Sequence, residues 1–312
     1  MMLNGKFELV IGIPTFRRPA QLRALLDSLL SELQEHPALV IVADNECGKD
    51  APQVIEQFKL SWPSVRCIPV AARGVTQVRN TLIAQAGQEA PGWRWLIMLD
   101  DDGLATPGWL GRLLATGEQY QAHLVGGPVQ GELPSGSGWL ARNSVFAARG
   151  RWATGLVSTL NTTQNLAISR RVLALVPTPL FRNEYGASGG EDYDLFRRVA
   201  HAGGRFAWCD EAIIMEPAPA DRLTVSALLY RYHSTGMYMA VIDRSYDGAK
   251  QVGWLAVKGL LGTCARLAFA AVTLRTNAAA HLILMTAHYL GRFAGLLGVR
   301  SSRYVAPTNP EA

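Results

Sequence analysis

Several features that would settle the chemistry early are missing from this chain. Only four of its 312 residues are cysteine. Cys47, Cys67, Cys209 and Cys264 are scattered, with no C-x-x-C pair. That argues against a disulfide framework or a thiolate metal site, and for free thiols in a reducing compartment. No G-x-G-x-x-G follows a strand pattern, so the dinucleotide fingerprint of a dehydrogenase is absent. No Gly-rich phosphate loop stands at the first strand, which argues against a nucleotidyltransferase. The first apolar run, Leu9 to Ile13, is preceded by Lys6 and Glu8 and stopped by Pro14, too short for a secretory h-region. A cytoplasmic catalytic body is the expectation. The longest uncharged run near the C-terminus, Thr276 to Gly291, falls short of the ~18–20 residues of a spanning helix. Internal repeats and long low-complexity tracts are also absent.

What is present is a core-forming composition, 49% hydrophobic and 18% charged, which excludes disorder for the chain as a whole. The length allows one large domain, or one domain with an appendage. The net charge of +5 is unevenly placed. From Arg231 onward nine basic residues face three acidic ones, a balance of +6, which leaves the first 230 residues at −1. A basic tail can bind nucleic acid or an anionic membrane. Here its apolar stretches, Val252–Leu274 and Ala278–Val299, favour the membrane. Helices lying in the membrane interface and a helical hairpin packed on the body both fit these stretches, with a spanning pair a third option.

The first hundred residues alternate strand and helix patterns. Phe7–Ile13, Leu39–Ala43, Val65–Val70 and Trp95–Leu99 read as buried strands. Between them lie helical periods: one opened by Pro19 with Leu22, Leu25, Leu26, Leu29, Leu30 and Leu33, one over Ala51–Leu60, and one over Val75–Ala86. Repeated strand–helix–strand units imply a parallel sheet flanked by helices. Beyond Pro107 the pattern gives a helix, a strand near His123–Val129, a short strand at Asn165–Ile168 and a helix around Arg170–Leu175. A helix then runs from Glu191 to Ala202, with Gly203-Gly204 as its cap, followed by a strand over Phe206–Met215. In such sheets ligands bind beyond the carboxyl ends of the strands. Three strands end in polar residues: Pro14-Thr15, Asp44-Asn45 and Asp100-Asp101-Asp102.

Three adjacent carboxylates repel one another. A hard divalent cation such as Mg²⁺ or Mn²⁺, sharing phosphate oxygens, is the natural counter-charge; an exposed turn capping the next helix is the plain alternative. Glu191-Asp192 opens a helix after the Gly-rich stretch 186–190. It serves either as an N-terminal cap or as a general base. Asp44 is either a turn residue or an acceptor for a nucleobase N–H. Arg73, before Gly74, and Arg79-Asn80 are surface residues or diphosphate and sugar contacts.

Taken in order, Ile13-Pro14-Thr15-Phe16-Arg17-Arg18-Pro19, Ala43-Asp44-Asn45, Val78-Arg79-Asn80, Leu99-Asp100-Asp101-Asp102-Gly103 and Gly190-Glu191-Asp192-Tyr193-Asp194-Leu195 resemble glycosyltransferase family 2. The stretch from Asp210-Glu211-Ala212 through Glu216-Pro217 to Arg222-Leu223-Thr224 is similar to the subgroup that builds bacterial exopolysaccharides of the succinoglycan type. The resemblance implies the GT-A fold, an α/β architecture with a mostly parallel, Rossmann-like sheet, over residues 1–235. A basic, apolar helical region, 236–312, would follow and associate with the membrane.

It also implies roles. Thr15, Arg17, Asp44, Arg73, Asp100 and Asp101 would contact the donor: Thr15 and Asp44 at the nucleoside, Arg73 near the nucleotide, and Asp100 at the ribose or sugar. Asp102 would bind Mg²⁺ or Mn²⁺. Asp192 would be the catalytic base, with Glu191 beside it. Two departures stand out: Glu216 occupies the place where many relatives carry a metal-binding His, and Asp44-Asn45 replaces the commoner acidic pair. The expected activity is inverting transfer of a hexose from a nucleotide sugar, with UDP the expected nucleotide. The acceptor would be a hydroxyl of a saccharide or lipid-linked saccharide, at the cytoplasmic face of the inner membrane, with no nucleic acid as partner. Transfer to polyprenyl phosphate and a non-catalytic subunit of a polysaccharide machine are the rivals.

Overall fold

The computed structural model describes residues 7–147 and 149–301. Arg303 and Glu311 of the charge balance, and the outermost residues of both expected regions, lie outside the described residues. The chain divides into two compact units. One comprises Met1–Gln130, Arg149–Asn183 and Asp194–Pro217; the other comprises Gly131–Ala148, Glu184–Tyr193 and Ala218–Ala312.

In chain order the regular elements are β1 (Leu9–Thr15), α1 (Pro19–Ser28), α2 (Leu30–Glu35), β2 (Leu39–Asp44), α3 (Asp50–Phe58), β3 (Val65–Pro69), α4 (Val75–Glu89) and β4 (Trp95–Leu99). There follow β5 (Leu104–Ala105), α5 (Trp109–Gln119), β6 (Leu124–Gly126), β7 (Val129–Glu132), β8 (Gly155–Val157) and β9 (Asn165–Ser169). The last are α6 (Glu191–His201), β10 (Phe206–Trp208), β11 (Ile214–Pro217), α7 (Val225–Val272) and α8 (Thr276–Leu296).

The first unit is built on an eight-stranded sheet in the order β3-β2-β1-β4-β9-β6-β10-β8. The strands β3, β2, β1 and β4 run parallel, as the alternation of patterns implied. Strands β1, β2 and β4 are apolar almost throughout because both faces are covered, whereas the edge strand β3 buries only Val65. Side chains alternate between two cores with the period of two that a strand imposes. From β1, Leu9, Ile11 and Ile13 join one core with Leu22 and Leu25 of α1, Ile55 of α3 and Leu110 of α5. Val10 joins the other, with Val78 and Leu82 of α4 and Leu195 and Phe196 of α6.

Several elements differ from their sequence reading. The leucine-rich helix after Pro19 is two helices, broken at Leu29. The break turns Glu32 inward: its carboxylate, 2% exposed, accepts the Gly108 and Leu110 amides at 2.7 and 2.8 Å and so caps α5 from outside. The stretch Arg170–Ala174 is a 3-10 turn rather than a helix. The strand expected over Phe206–Met215 is two strands in two different sheets, β10 in the large one and β11 in a three-stranded sheet ordered β5-β11-β7. The strand β9 pairs antiparallel with both β4 and β6, a direction that its short apolar run, Leu166–Ile168, does not encode.

In the second unit α7 is far longer than its apolar stretch implied. It starts at Val225, where the Thr224 hydroxyl caps it by accepting the Ala227 amide at 3.3 Å. It kinks at Gly248, whose φ of 77° and ψ of 153° are not helical. The helices α7 and α8 meet backbone to backbone. A Cβ on Gly236 would lie 1.9 Å from the His288 carbonyl oxygen, and one on Gly291 would lie 1.9 Å from that of His233. Beside this contact Leu228 of α7 and Ala280 and Leu284 of α8 form a third core with Leu140 and Phe146.

Gly291→Ala is therefore expected to force the two helices apart. The cost should be about 1–3 kcal/mol, read as a lower midpoint in thermal unfolding followed by circular dichroism. An unchanged midpoint would mean that the helices do not pack this closely.

Candidate active site

The carboxyl edge of the parallel strands carries the site. Register pairs Thr15 at the end of β1 with Asp44 at the end of β2. On the other side β1 pairs with β4, which delivers the three aspartates to the same edge. The Thr15 hydroxyl donates to Asp101 Oδ2 at 2.8 Å. Arg18, three residues past the end of β1, reaches across with one nitrogen. Its Nη1 donates to Asp101 Oδ1 at 3.0 Å and to Asp102 Oδ2 at 2.7 Å. Asp100 is paired with Arg79 of α4 at 3.4 Å, and the Arg79 guanidinium lies over the Phe181 ring.

Burial pushes the Asp101 carboxyl up to about 6; the Arg18 charge and the Thr15 hydrogen bond hold it down, while Asp102 and Asp100 push it further up. Glu216, at 2% exposure in β11, is also raised by burial. Arg149 opposes that rise, with its Nη2 at 2.6 Å from Glu216 Oε2, while the charges of Asp102 and Asp100 reinforce it. Gln164 donates to the same oxygen at 3.2 Å. Glu216 thus belongs to the electrostatic neighbourhood of the aspartates, although more than a hundred residues separate them in sequence.

One polar atom in this cluster has no protein partner: Asp102 Oδ1 is buried and accepts no hydrogen bond. A buried carboxylate oxygen left so is costly unless something else meets it. Among the described residues no group of three or more His, Cys, Asp or Glu forms a complete metal cage. The unmet Asp102 oxygen fits a divalent cation held by one or two carboxylates and completed by phosphate oxygens, the arrangement that Mg²⁺ commonly takes. Asp102 is the residue that fits best.

The remaining expected donor contacts are less converged. Asp44 is 3% exposed, and its two carboxylate oxygens accept the Glu46 amide at 2.9 Å and the Gly48 amide at 3.1 Å, which shapes the turn after β2. Asn45 braces the next loop by donating to the carbonyls of Val70 and Ala72. Arg73 donates to the Asn45 carbonyl and stacks on Phe16, with 5.1 Å to the ring centroid. Arg17 turns towards Glu46 at 2.8 Å instead of the aspartates. Asn80 clamps Phe181 through both of its backbone polar groups, at 2.6 and 3.0 Å.

Glu191 and Asp192 belong to the second unit. They open α6 after Gly189 and Gly190, which hold φ values of 80° and 96°. Glu191 is 4% exposed; Asp192 is partly exposed, and its Oδ1 accepts the Tyr193 amide at 2.7 Å.

The family model for glycosyl transferase family 2 matches residues 10–174, more than half of the chain. The chain belongs to that family. A relative, the succinoglycan biosynthesis protein ExoM of Rhizobium meliloti (strain 1021), is 28% identical over 307 residues, covering 96% of each chain. Among solved structures, the mannosyltransferase PcManGT from Pyrobaculum calidifontis, in complex with GDP-Man and Mn²⁺, superposes with a TM-score of 0.63 at 15% identity, over 94% of this chain and 88% of that one. TarS of S. aureus, in complex with UDP-GlcNAc, gives 0.53 at 15% identity, over 93% and 92%. Both show the GT-A fold that the motifs implied.

In this member of the family, several side chains at or near the aspartate edge are ones that sequence reasoning left without a role. Arg18 stood in a recognised motif, yet nothing local reveals that it bridges two aspartates on another strand. Arg149 and Gln164, which engage Glu216, sit in stretches with no motif at all. The sequence pattern marks Asn165 only as the start of a strand. It is fully buried and ties three segments, accepting from Trp109 Nε1 at 2.9 Å and donating to the carbonyls of Pro128 and Ala212 at 3.0 and 2.7 Å.

Because burial raises the Asp101 carboxyl above its ordinary value, its ionisation costs stability as pH rises from about 4 through about 6. Removing Arg18 enlarges that cost wherever the aspartates are charged. Arg18→Met is expected to destabilise the fold by about 2–4 kcal/mol near pH ~7.5, and by clearly less near pH ~5, where Asp101 takes up a proton. Thermal unfolding at the two pH values checks this, and an equal loss at both would contradict it.

Proposed function

We propose that this glycosyltransferase moves a hexose from a UDP-sugar to a hydroxyl of a saccharide or lipid-linked saccharide, with inversion, in bacterial polysaccharide synthesis. The observation that carries the reading is the edge where Thr15, Arg18 and the three aspartates meet, with one buried Asp102 oxygen facing no protein donor. The named process of the ExoM relative, and the nucleotide sugars bound by the mannosyltransferase and TarS, support the substrate class.

Asp102 would hold Mg²⁺ or Mn²⁺, with Glu216 as the second carboxylate. Such a cation supplies charge neutralisation for the departing diphosphate. The protein's own groups do the rest. Thr15 and Arg18 fix the orientation of the aspartates. Asp100 faces the ribose or sugar with Asp101 beside it, Thr15 and Asp44 face the nucleoside, Arg73 lies near the nucleotide, and Arg17 flanks them. Asp192 removes the acceptor's hydroxyl proton while the acceptor oxygen bonds to the anomeric carbon; the bond from that carbon to the phosphate oxygen breaks, and UDP leaves with the electron pair. Glu191 stands beside the base at the positive end of α6.

The cytoplasmic face of the inner membrane is the proposed place of work, through the 236–312 region. From residue 248 to residue 301 the chain has six basic side chains and no acidic one. Trp254, Leu261, Phe269 and Val272 on the second half of α7, and Leu290 on α8, are exposed apolar residues in that same stretch. Exposed apolar side chains with unopposed positive charge suit an anionic lipid surface. By length and composition α7 is also apolar enough to cross a membrane.

Asp192→Asn is expected to lower transfer to a hydroxyl acceptor by about 10²–10⁴-fold while leaving UDP binding in place. Unimpaired transfer to polyprenyl phosphate by that variant would favour the phosphate-acceptor rival, because a phosphate needs no base. Asp102→Asn is expected to weaken Mn²⁺-dependent UDP binding by about tenfold or more in calorimetry. If the unaltered protein bound no nucleotide sugar from a broad panel, with or without Mn²⁺, the catalytic reading would give way to a scaffold.

A further inference from the structure

The residue after the proposed base is not a bystander. Tyr193 donates its phenolic hydroxyl to Asp243 Oδ1 at 2.6 Å. The other oxygen of that carboxylate, Oδ2, accepts from Arg292 Nη2 at 2.8 Å. Asp243 lies in α7 and Arg292 in α8, and they are 6% and 8% exposed. One buried carboxylate therefore links the first turn of α6 to both helices of the C-terminal hairpin. The residue before Glu191 is fitted to the same helix. Gly190 holds a φ of 96°, and a Cβ there would lie 2.6 Å from the Tyr238 ring and 3.1 Å from Ile242 of α7. The segment Gly190-Glu191-Asp192-Tyr193 is thus seated on α7 at one end by shape and at the other by a hydrogen bond.

We propose that Asp243 and Arg292 are positioning residues for catalysis: through Tyr193 they hold Asp192 in the orientation from which it takes the acceptor proton. The inference rests on the reading of Asp192 as the base and assigns work to a hairpin that carries no family motif. A buried ion pair between two helices would by itself be ordinary packing. The Tyr193 hydroxyl makes the difference, because it ties that pair to the neighbour of the base. Arg292 is fixed to Asp243 and lends the carboxylate a charge partner, which holds its other oxygen in place as the acceptor for Tyr193. Displacement of a catalytic group by about 1 Å can cost on the order of 10²-fold in rate without touching the binding of substrate.

The test separates positioning from packing. Tyr193→Phe keeps the ring and removes only the hydroxyl. It is expected to lower kcat by about tenfold to a hundredfold, with the donor KM within about twofold of the unaltered enzyme and the unfolding midpoint little changed. Asp243→Asn combined with Arg292→Met removes both buried charges and so restores a neutral interior. That double variant is expected to fold and bind UDP but to keep the low kcat, whereas Arg292→Lys, which retains a charge, is expected to recover part of the rate. Wild-type kcat in Tyr193→Phe, or recovery of both stability and kcat in the double variant, would overturn the proposal. Failure of the underlying reading has a different signature: Asp192→Asn would itself turn over hydroxyl acceptors at the normal rate.

Discussion

The site depends on a repulsion that has to be answered. Asp100, Asp101 and Asp102 follow one another off the end of β4, and two of them point into a partly buried edge. Arg18 answers it with a single nitrogen shared between Asp101 and Asp102, and Thr15 adds a hydrogen bond from the neighbouring strand. Glu216 brings a further negative charge into the same field, and Arg149 meets it. With the Arg79–Asp100 pair, each carboxylate of the group has an arginine within reach. Yet one oxygen, Asp102 Oδ1, is left over. Buried charge is tolerable only where it is paired. The pairing here stops one atom short, at Asp102, the residue proposed to hold the cation.

Rigidity around that edge comes from side chains with no chemical role in the reaction. Asn165, fully buried, joins α5 to the loops before β7 and β11. Glu32 caps α5 from α2. Asn80 clamps Phe181, whose ring carries Arg79. Several residues that looked like ligand contacts are also load carriers of this kind: Asp44 and Asn45 use their polar atoms on the backbone of their own turn and the next loop. In the second unit the corresponding device is bare backbone, with Gly236 and Gly291 letting α7 and α8 touch.

Much of the fold was legible in the chain. The apolar runs of β1, β2 and β4 and the leucine period after Pro19 have only one regular conformation that buries them, and their order implies a parallel sheet. The strands hardest to read were short ones. The three apolar residues of β9, Leu166–Ile168, carry no sign of direction, and no proline or glycine marks the split between β10 and β11. The length of α7 was hidden for another reason. Residues 225–247 mix polar and apolar side chains, and only contact with α8 and its neighbours makes one face of them a core.

The sequence by itself determined the periodicity of the elements, the aspartates at the end of β4 and the Glu191-Asp192 pair at a helix start, because these are properties of neighbours along the chain. Only the tertiary structure decided which charges face one another. That Arg18 serves Asp101 and Asp102, that Arg149 serves Glu216, and that Tyr193 and Arg292 share Asp243 are matters of distances between segments far apart in sequence. Electrostatic pairing follows separation in space, and no local pattern of residue types encodes that separation.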